Sequence, residues 1–169
     1  DDVTPLIRTQ RVAAWRDAQD GNKLRIFLAS RYRLYSLDAE TGKPVASFGL
    51  DGTIDTSKDL SWPIESSHFE INAAPTIYKD LVILGSAIGD NLLYKKTPPG
   101  DVRAYHARTG KLVWRWSSIP QSPTDFGAST WEENSWRFTG HGNVWGPMAV
   151  DAERGLVYFG TSTPGNDYY

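Results

Sequence analysis

The stretch GDVRAYHARTGKLVWRW (residues 100–116) consists of an alternating strand, a hairpin turn and another strand. Alternation of apolar and polar residues is typical of a β-strand, and Gly110 supplies the positive φ that a tight turn needs. The same pattern occurs earlier as YRLYSLDAETGKPVASFG (32–49), with its Thr-Gly-Lys turn at 41–43 instead of 109–111. The chain therefore contains a repeated strand–turn–strand unit.

A second unit is also repeated. AAPTIYKDLVILGS (73–86) and GPMAVDAERGLVYFGT (146–161) each contain a proline, a charged turn and an apolar strand that ends in Gly-Ser or Gly-Thr. RIFLAS (25–30) resembles a third, earlier copy of that strand. Antiparallel strands in groups of about four, repeated every several tens of residues, are the signature of a β-propeller. A plain antiparallel sandwich is the alternative.

We therefore predict an all-β fold, a β-propeller of four-stranded antiparallel blades, of which this chain covers about two to three. Residues 1–169 are expected to form one partial propeller domain. A closed propeller needs at least about four blades. We thus expect the chain to be an excerpt that is incomplete at its C-terminus and also at its N-terminus, and that does not fold well alone because its end blades expose strand edges.

Composition excludes several classes of function. The chain has 18 basic and 20 acidic residues and no basic run, which argues against nucleic acid or an anionic membrane as the main partner. Without cysteine it has no disulfide and no thiolate metal site. Seven tryptophans indicate either regular structural docking or a flat aromatic ligand. The two long polar loops predicted at 48–72 and 118–145 carry tryptophan, and loops of that length are typically functional.

The segment LVILGSAIGDN (81–91) raises the question of a site. A fully apolar strand runs through Gly85 and Ser86 to a carboxylate beside a carboxamide, Asp90 and Asn91. These two residues either form an Asx-type turn or present two oxygen ligands at the mouth of a site. From the residues alone, the turn is the simpler interpretation.

Three segments together resemble the quinoprotein dehydrogenases, β-propellers that bind pyrroloquinoline quinone (PQQ) and oxidise alcohols or sugars. They are INAAPTIYKDLVILGSAIGDN (71–91), PPGDVRAYHARTGKLVWRW (98–116) and GHGNVWGPMAVDAERGLVYFGTSTPGNDYY (140–169). The pattern from Ala104 to Trp114 resembles the blade-docking tryptophan motif of that family. The earlier copy departs from it, since Ser47 or Phe48 stands in place of the tryptophan. The resemblance covers most of residues 11–169.

The resemblance implies a set of cofactor-binding residues. Trp145, between two glycines in GNVWGPM (142–148), matches the tryptophan that forms the floor beneath the planar quinone; core packing is the alternative. Asn72 and Ser86 fall where the family contacts the cofactor. Arg11 lies near the arginine that pairs with a PQQ carboxylate, a geometry that suits a guanidinium, although a surface arginine is a common alternative.

A calcium site is implied in the same way. Asp90 matches the acidic calcium ligand, and the Asp-Asn pair formed with Asn91 is the one found in the sugar-oxidising branch. The family's second ligand is usually an asparagine 18 residues after the floor tryptophan. That position is Thr163 here, a weaker donor, and Asn166 or Asp167 are the possible substitutes.

The implied activity is the PQQ- and calcium-dependent oxidation of an alcohol or aldose, with hydride passing to the quinone and electrons to a cytochrome or ubiquinone, in the periplasm. The absence of adjacent cysteines favours the sugar- or polyol-oxidising members. The family's catalytic aspartate lies downstream of residue 169, so no base is assigned and the excerpt alone is expected to be inactive. The alternatives are a non-catalytic scaffold propeller similar to outer-membrane assembly factors, and a carbohydrate-binding propeller.

The three histidines show neither a triad nor zinc-site spacing. His106 stands where the docking motif usually has aspartate, which indicates a structural role. His68 and His141 are expected in loops, where they could line a site.

Overall fold

The computed structural model describes residues 12–165, and the first part of this segment forms a four-stranded antiparallel sheet. Its strands lie side by side in the order in which they occur in the chain, as in an up-and-down blade. They are β1 (Val12–Asp17), β2 (Lys23–Ser30), β3 (Arg33–Asp38) and β4 (Thr53–Asp55).

A second four-stranded antiparallel sheet repeats this arrangement, and a strand pair follows it. The second sheet contains β6 (Thr76–Tyr78), β7 (Leu81–Leu84), β9 (Val102–His106) and β10 (Leu112–Trp116). β11 (Ala149–Asp151) pairs with β12 (Leu156–Tyr158), and β5 (Phe69–Glu70) pairs with β8 (Ala87–Ile88). Four-stranded antiparallel blades are thus confirmed, and residues 12–165 contain two of them and further strand pairs.

Within the described residues, the loops contain short 3₁₀ helices instead of α-helices. These are Thr56–Asp59, Ser66–His68, Ala128–Thr130 and Glu132–Phe138. In the part of the chain that the structure describes, none of the helices has the length and apolar character needed to cross a bilayer.

One sequence expectation was wrong in detail: the turn at 41–43 is not followed directly by a strand. Pro44 makes a single bridge to Leu37, and the chain then turns away. Proline lacks the N–H needed to continue a ladder. The fourth strand comes later, at β4, after a turn in which Asp51 and Gly52 both have positive φ. The segment 48–72 is therefore not one loop, since it includes β4 and β5.

The first hydrophobic core lies between the two blades. Phe48 is fully buried, and its ring centroid lies 5.5 Å from that of Phe27. The Gly49 N–H donates to the Thr109 carbonyl (3.0 Å), so the turn of the second blade sits against this segment. A Cβ added at Gly110 would lie 2.9 Å from Ile54 Cγ2, which leaves room only for glycine. Phe48 thus helps dock the two blades.

A group of charged residues, which we call the interblade ion cluster, also joins the two blades. It consists of Asp17 and Arg25 of the first blade and Arg108 of the second. The fully buried Asp17 carboxylate accepts from Arg25 Nη2 and Arg108 Nη2, both at 2.8 Å. The two guanidinium groups lie 5.4 and 5.2 Å from the ring centroid of Trp15. The hydrogen bond from Arg108 lowers the pKa of Asp17 below its ordinary value, against the opposing effect of burial.

Candidate functional site

The long connections of the sheets emerge at one end, which we call the loop end. In an up-and-down antiparallel sheet, the turn after the second strand and the exit of the fourth strand share one end. The carbonyl of Arg31, in the β2–β3 turn, accepts from the Ile71 N–H (2.8 Å) in the segment that leads to β6. Every residue from 12 to 165 that the sequence assigns to the site lies in these connections.

Three loop-end segments are joined by hydrogen bonds. The Ser86 N–H donates to the Val144 carbonyl (2.9 Å), and the Gly142 N–H donates to the Thr163 carbonyl (3.1 Å). Ser162 Oγ donates to Asn143 Oδ1 (2.7 Å). The structure therefore brings the segments of Ser86, Trp145 and Thr163 together.

Gly85 is necessary for this close approach. A Cβ added there would overlap with the Val144 carbonyl oxygen, whereas a Cβ added at Gly146 would meet nothing within 4 Å. We expect Gly85→Ala to lower the free energy of unfolding of the whole protein by about 2 kcal/mol, because the two segments must separate. The control Gly146→Ala is expected to stay within about 0.5 kcal/mol. Denaturant titration measures both, and equal effects would contradict this account of the contact.

Trp145 presents its indole to solvent. The side chain is 61% exposed, although Val144 before it is buried, and the space beside Gly146 is open. An exposed, flat aromatic ring next to a residue without a side chain is suited to stacking on a planar ligand. Among residues 12–165 the indole does not pack in a core. Its role as the floor of a cofactor site stays a prediction.

Ser86, by contrast, points into the protein. Its hydroxyl donates to the Asp101 carbonyl (2.6 Å) and accepts from Arg103 Nη2 (3.1 Å), and the residue is buried. These bonds occupy the hydroxyl proton. Asn72 is half-buried and takes part in an interaction of its own. The contacts of both residues with a cofactor stay predictions, and Arg11 lies outside the described residues.

Arg103 is a site residue that sequence reasoning missed. It is fully buried; Nη2 donates to the Gly85 carbonyl (2.8 Å), and Nη1 donates to the Thr56 carbonyl (2.7 Å) of the first blade's exit loop. Its guanidinium lies 4.8 Å from the centroid of the Phe69 ring. Arg103 therefore stabilises the end of the strand at Gly85 and Ser86 through its hydrogen bonds. An arginine between the apolar residues Val102 and Ala104 was the available signal.

Asp90 and Asn91 form an exposed turn after β8. In an Asx-type turn the carboxylate accepts from nearby N–H groups, as Asp38 does from Thr41 (2.8 Å). Within residues 12–165 the Asp90 carboxylate has no such bond, so the Asx-turn alternative does not describe it. Its oxygens remain available as the hard donors that Ca²⁺ prefers. Their role in a metal site stays a prediction.

The described residues supply at most part of a metal site. Between residues 12 and 165 there is no group of three or more His, Cys, Asp or Glu side chains placed to hold a metal ion. Thr163 is exposed, and its carbonyl already accepts from Gly142. The donor set of Asp90, Asn91 and Thr163 therefore fits a hard cation in chemical type but contains only one carboxylate.

Two histidines have structural roles. His106 Nδ1 accepts from the Arg108 N–H (3.1 Å), as the Asp38 carboxylate does at the equivalent turn, so its predicted structural role is confirmed. His141 is buried, with Nδ1 at 2.8 Å from Thr97 Oγ1 and Nε2 at 3.4 Å from the Gly89 carbonyl. It connects the Asp90 loop to the Trp145 loop without lining a surface.

The comparisons with known proteins support the β-propeller fold. A family model described as "PQQ: Glucose/ethanol/alcohol dehydrogenase, beta-propeller domain" matches residues 2–169. The quinohemoprotein alcohol dehydrogenase ADH IIB of Pseudomonas putida is 36% identical over 138 residues, which is 76% of this chain and 18% of that protein. The methanol dehydrogenase (cytochrome c) subunit 1 of Methylorubrum extorquens is 30% identical over 152 residues, 75% of this chain and 23% of the relative.

Among solved structures, a europium-containing methanol dehydrogenase superposes with a TM-score of 0.60 and 25% identity, over 83% of this chain and 24% of the other. The chain spans about a fifth of the length of the curated relatives it matches.

Proposed function

The chain belongs to the PQQ β-propeller family of glucose, ethanol and alcohol dehydrogenases, and from that premise we propose that the whole protein oxidises an alcohol or an aldose with PQQ and calcium. The observation that carries the proposal is the exposed indole of Trp145, held by backbone bonds beside the segment of Ser86. When bound, PQQ supplies the hydride acceptor and the metal ion a Lewis acid.

The residues of this chain would hold and orient these groups. Trp145 would offer one face of a flat pocket, and Asn72 and Arg11 would offer polar groups to the cofactor's edge. Ser86 keeps its strand end in place through Asp101 and Arg103, which fixes the start of the loop that carries Asp90 and Asn91. A rigid support of this kind keeps metal-binding oxygens at constant positions.

The proposal also names a substrate, an electron acceptor and a cellular location for the whole protein. Its substrate would be an alcohol or sugar, its electron acceptor a cytochrome or ubiquinone, and its location the periplasm. The names of the relatives support the substrate class and the cytochrome in part. They include a quinohemoprotein alcohol dehydrogenase and a methanol dehydrogenase whose name contains cytochrome c. Calcium is proposed because Asp90 and Asn91 provide hard oxygen donors, although the solved neighbour contains europium.

The experiment is a titration of the full chain with PQQ, with and without Ca²⁺, followed by tryptophan fluorescence and quinone absorbance. We expect binding that depends on Ca²⁺. Asp90→Ala should raise the Ca²⁺ concentration needed at least about a hundredfold, because a carboxylate ligand is lost. Asp20→Ala removes the same charge from the turn between β1 and β2, at the opposite end of the blade, and should change nothing.

A parallel titration with Eu³⁺ tests the nature of the metal. Binding that Eu³⁺ supports and Ca²⁺ does not would overturn the proposal of calcium while keeping that of PQQ. If the full chain is well folded and binds no quinone with either ion, the proposed dehydrogenase activity is overturned and the non-catalytic scaffold propeller is favoured.

A further inference from the structure

A cleft of about 490 Å³ opens at the loop end between the two blades, and we call it the interblade cleft. Its wall includes Arg31 and Tyr32 from the β2–β3 turn, His68 and Glu70 from the segment before β6, and Asn91 from the proposed metal loop. Clefts of several hundred cubic ångströms that combine aromatic and polar groups are typical of small-molecule sites. Because Asn91 lines it, a ligand in the cleft would reach the proposed reaction centre.

Arg31 has an unusual backbone for its residue type. Its φ is +51°, a left-handed conformation at the first central position of a two-residue hairpin turn, where glycine is preferred. The turn is fixed in this state by the bond from the Ile71 N–H to the Arg31 carbonyl. A large side chain is thus kept in a strained position that places it on the cleft wall.

The Arg31 guanidinium is also unpaired in the described part of the chain: no ion pair or side-chain hydrogen bond involves it between residues 12 and 165. Glu70, the carboxylate on the same wall, takes part in an interaction of its own. An arginine fork recognises a carboxylate through two parallel hydrogen bonds. The guanidinium of Arg31 is exposed at the wall of the cleft and unpaired among residues 12–165, and it is therefore suited to an anionic group on the ligand.

His68 adds a second polar contact. Its Nδ1 lies 2.8 Å from the Tyr94 hydroxyl, which fixes the ring, and among residues 12–165 its Nε2 has no partner. The imidazole can therefore donate to or accept from a ligand hydroxyl through Nε2. Tyr32 and Phe69 on the same wall supply aromatic surface.

We propose that the interblade cleft binds a hydroxylated carboxylic acid, with Arg31 holding the carboxylate and His68 a hydroxyl group. As an assignment of substrate class, this rests on the proposed function. It narrows the alcohol or sugar to one that carries an anionic group, placed away from the carbon that is oxidised. The polar wall makes a neutral simple alcohol a poorer ligand.

The test compares D-gluconate with D-glucitol, two six-carbon polyols that differ only in a carboxylate against a hydroxymethyl group. Calorimetry with the full chain, without PQQ or added metal, gives the two dissociation constants, so that chelation cannot contribute. We expect gluconate to bind at least about tenfold more tightly, since hydrogen bonds to a charged group are the stronger ones. Arg31→Gln should remove that preference. The matched control is Arg33→Gln in the same turn, whose guanidinium lies over the Tyr32 ring, and it should leave the preference within about twofold.

Arg31→Gly supplies a second variant that cannot fail through misfolding of the turn, because glycine favours the positive φ. It should lose the preference for gluconate and also unfold at a higher temperature than the parent. Equal affinities in the parent, or equal losses in the Arg31 and Arg33 variants, would overturn the inference.

Turnover with PQQ and metal separates this inference from the proposed function. If the protein oxidises neutral alcohols but binds gluconate no better than glucitol, the assignment of the interblade cleft is overturned and the proposed function stands. If the protein prefers gluconate but oxidises no alcohol, the carboxylate site is supported and the proposed dehydrogenase activity is overturned.

Discussion

Asp17→Ala is expected to lower the free energy of unfolding of the whole protein by about 3–5 kcal/mol, the cost of leaving buried charges without their partner. Two guanidinium groups, of Arg25 and Arg108, converge on this carboxylate at 2.8 Å, and its side chain has no exposed surface. Without it, Arg25 would lose its ion pair over the ring of Trp15, and Arg108 would keep only the more distant Asp80 carboxylate, at 3.8 Å. Removal of the Asp17 carboxylate is therefore expected to lower the free energy of unfolding more than removal of either arginine side chain.

The matched control is Asp20→Ala, three residues further along. Asp20 pairs with Lys23 at 3.0 Å, but both side chains are more than half exposed. Exposed ion pairs contribute little, so a change below about 1 kcal/mol is expected. Denaturant titration of both variants measures the two changes in the free energy of unfolding. Similar decreases would show that the interblade ion cluster does not hold the blades together.

The same residue gives the stability a defined pH dependence. Because the pKa of Asp17 is lower in the folded protein than in the unfolded chain, the unfolded state binds more protons between the two values. The contribution of Asp17 is therefore complete above its ordinary pKa of about 3.9 and is lost as the pH falls through the folded value. Asp17→Asn should remove this part of the acid sensitivity.

Trp145→Ala is expected to weaken PQQ binding by the full chain at least about a hundredfold, which corresponds to about 2.8 kcal/mol. The indole is the large aromatic face offered to the ligand, and no neighbouring side chain at Gly146 could replace it. Trp145→Phe keeps a smaller ring and should recover part of the affinity.

Trp131→Ala is the control, because it removes a tryptophan from the same connecting segment, at the C-terminal end of the short helix Ala128–Thr130. It changes the intrinsic fluorescence in a similar way but should leave the quinone absorbance titration unchanged. Equal affinities in the Trp145 and Trp131 variants would show that the indole at 145 is not the floor of the site.

The blades could be predicted from sequence because their signals are local. The Thr-Gly-Lys turn at 109–111 and the alternation around it identify β9 and β10, and the apolar run at 81–84 identifies β7. β4 was missed because Pro44 interrupts pairing and the chain returns only nine residues later, at Thr53. Nothing in a local pattern indicates where such a return occurs.

The site was predictable only in part, for a related reason. Trp145 and Asp90 are in unusual contexts, between glycines or at the end of an apolar strand, and both proved to be exposed. Ser86 is buried beside Arg103, which alternation alone would place on a solvent-facing side of β9. Loops from the other blade cover that side, through Thr56 and Phe69, and such cover cannot be deduced from the strand itself.

The interblade ion cluster also bears on the order in which the protein folds. Arg108 and Asp17 are 91 residues apart in the chain, so their contact requires two blades to be formed and to meet. Contacts of such long sequence separation form late, because the entropy of closing a long loop must be overcome first. Interactions absent from the transition state slow unfolding and leave the folding rate almost unchanged. We therefore expect the cluster to act mainly as a kinetic barrier against separation of the first two blades.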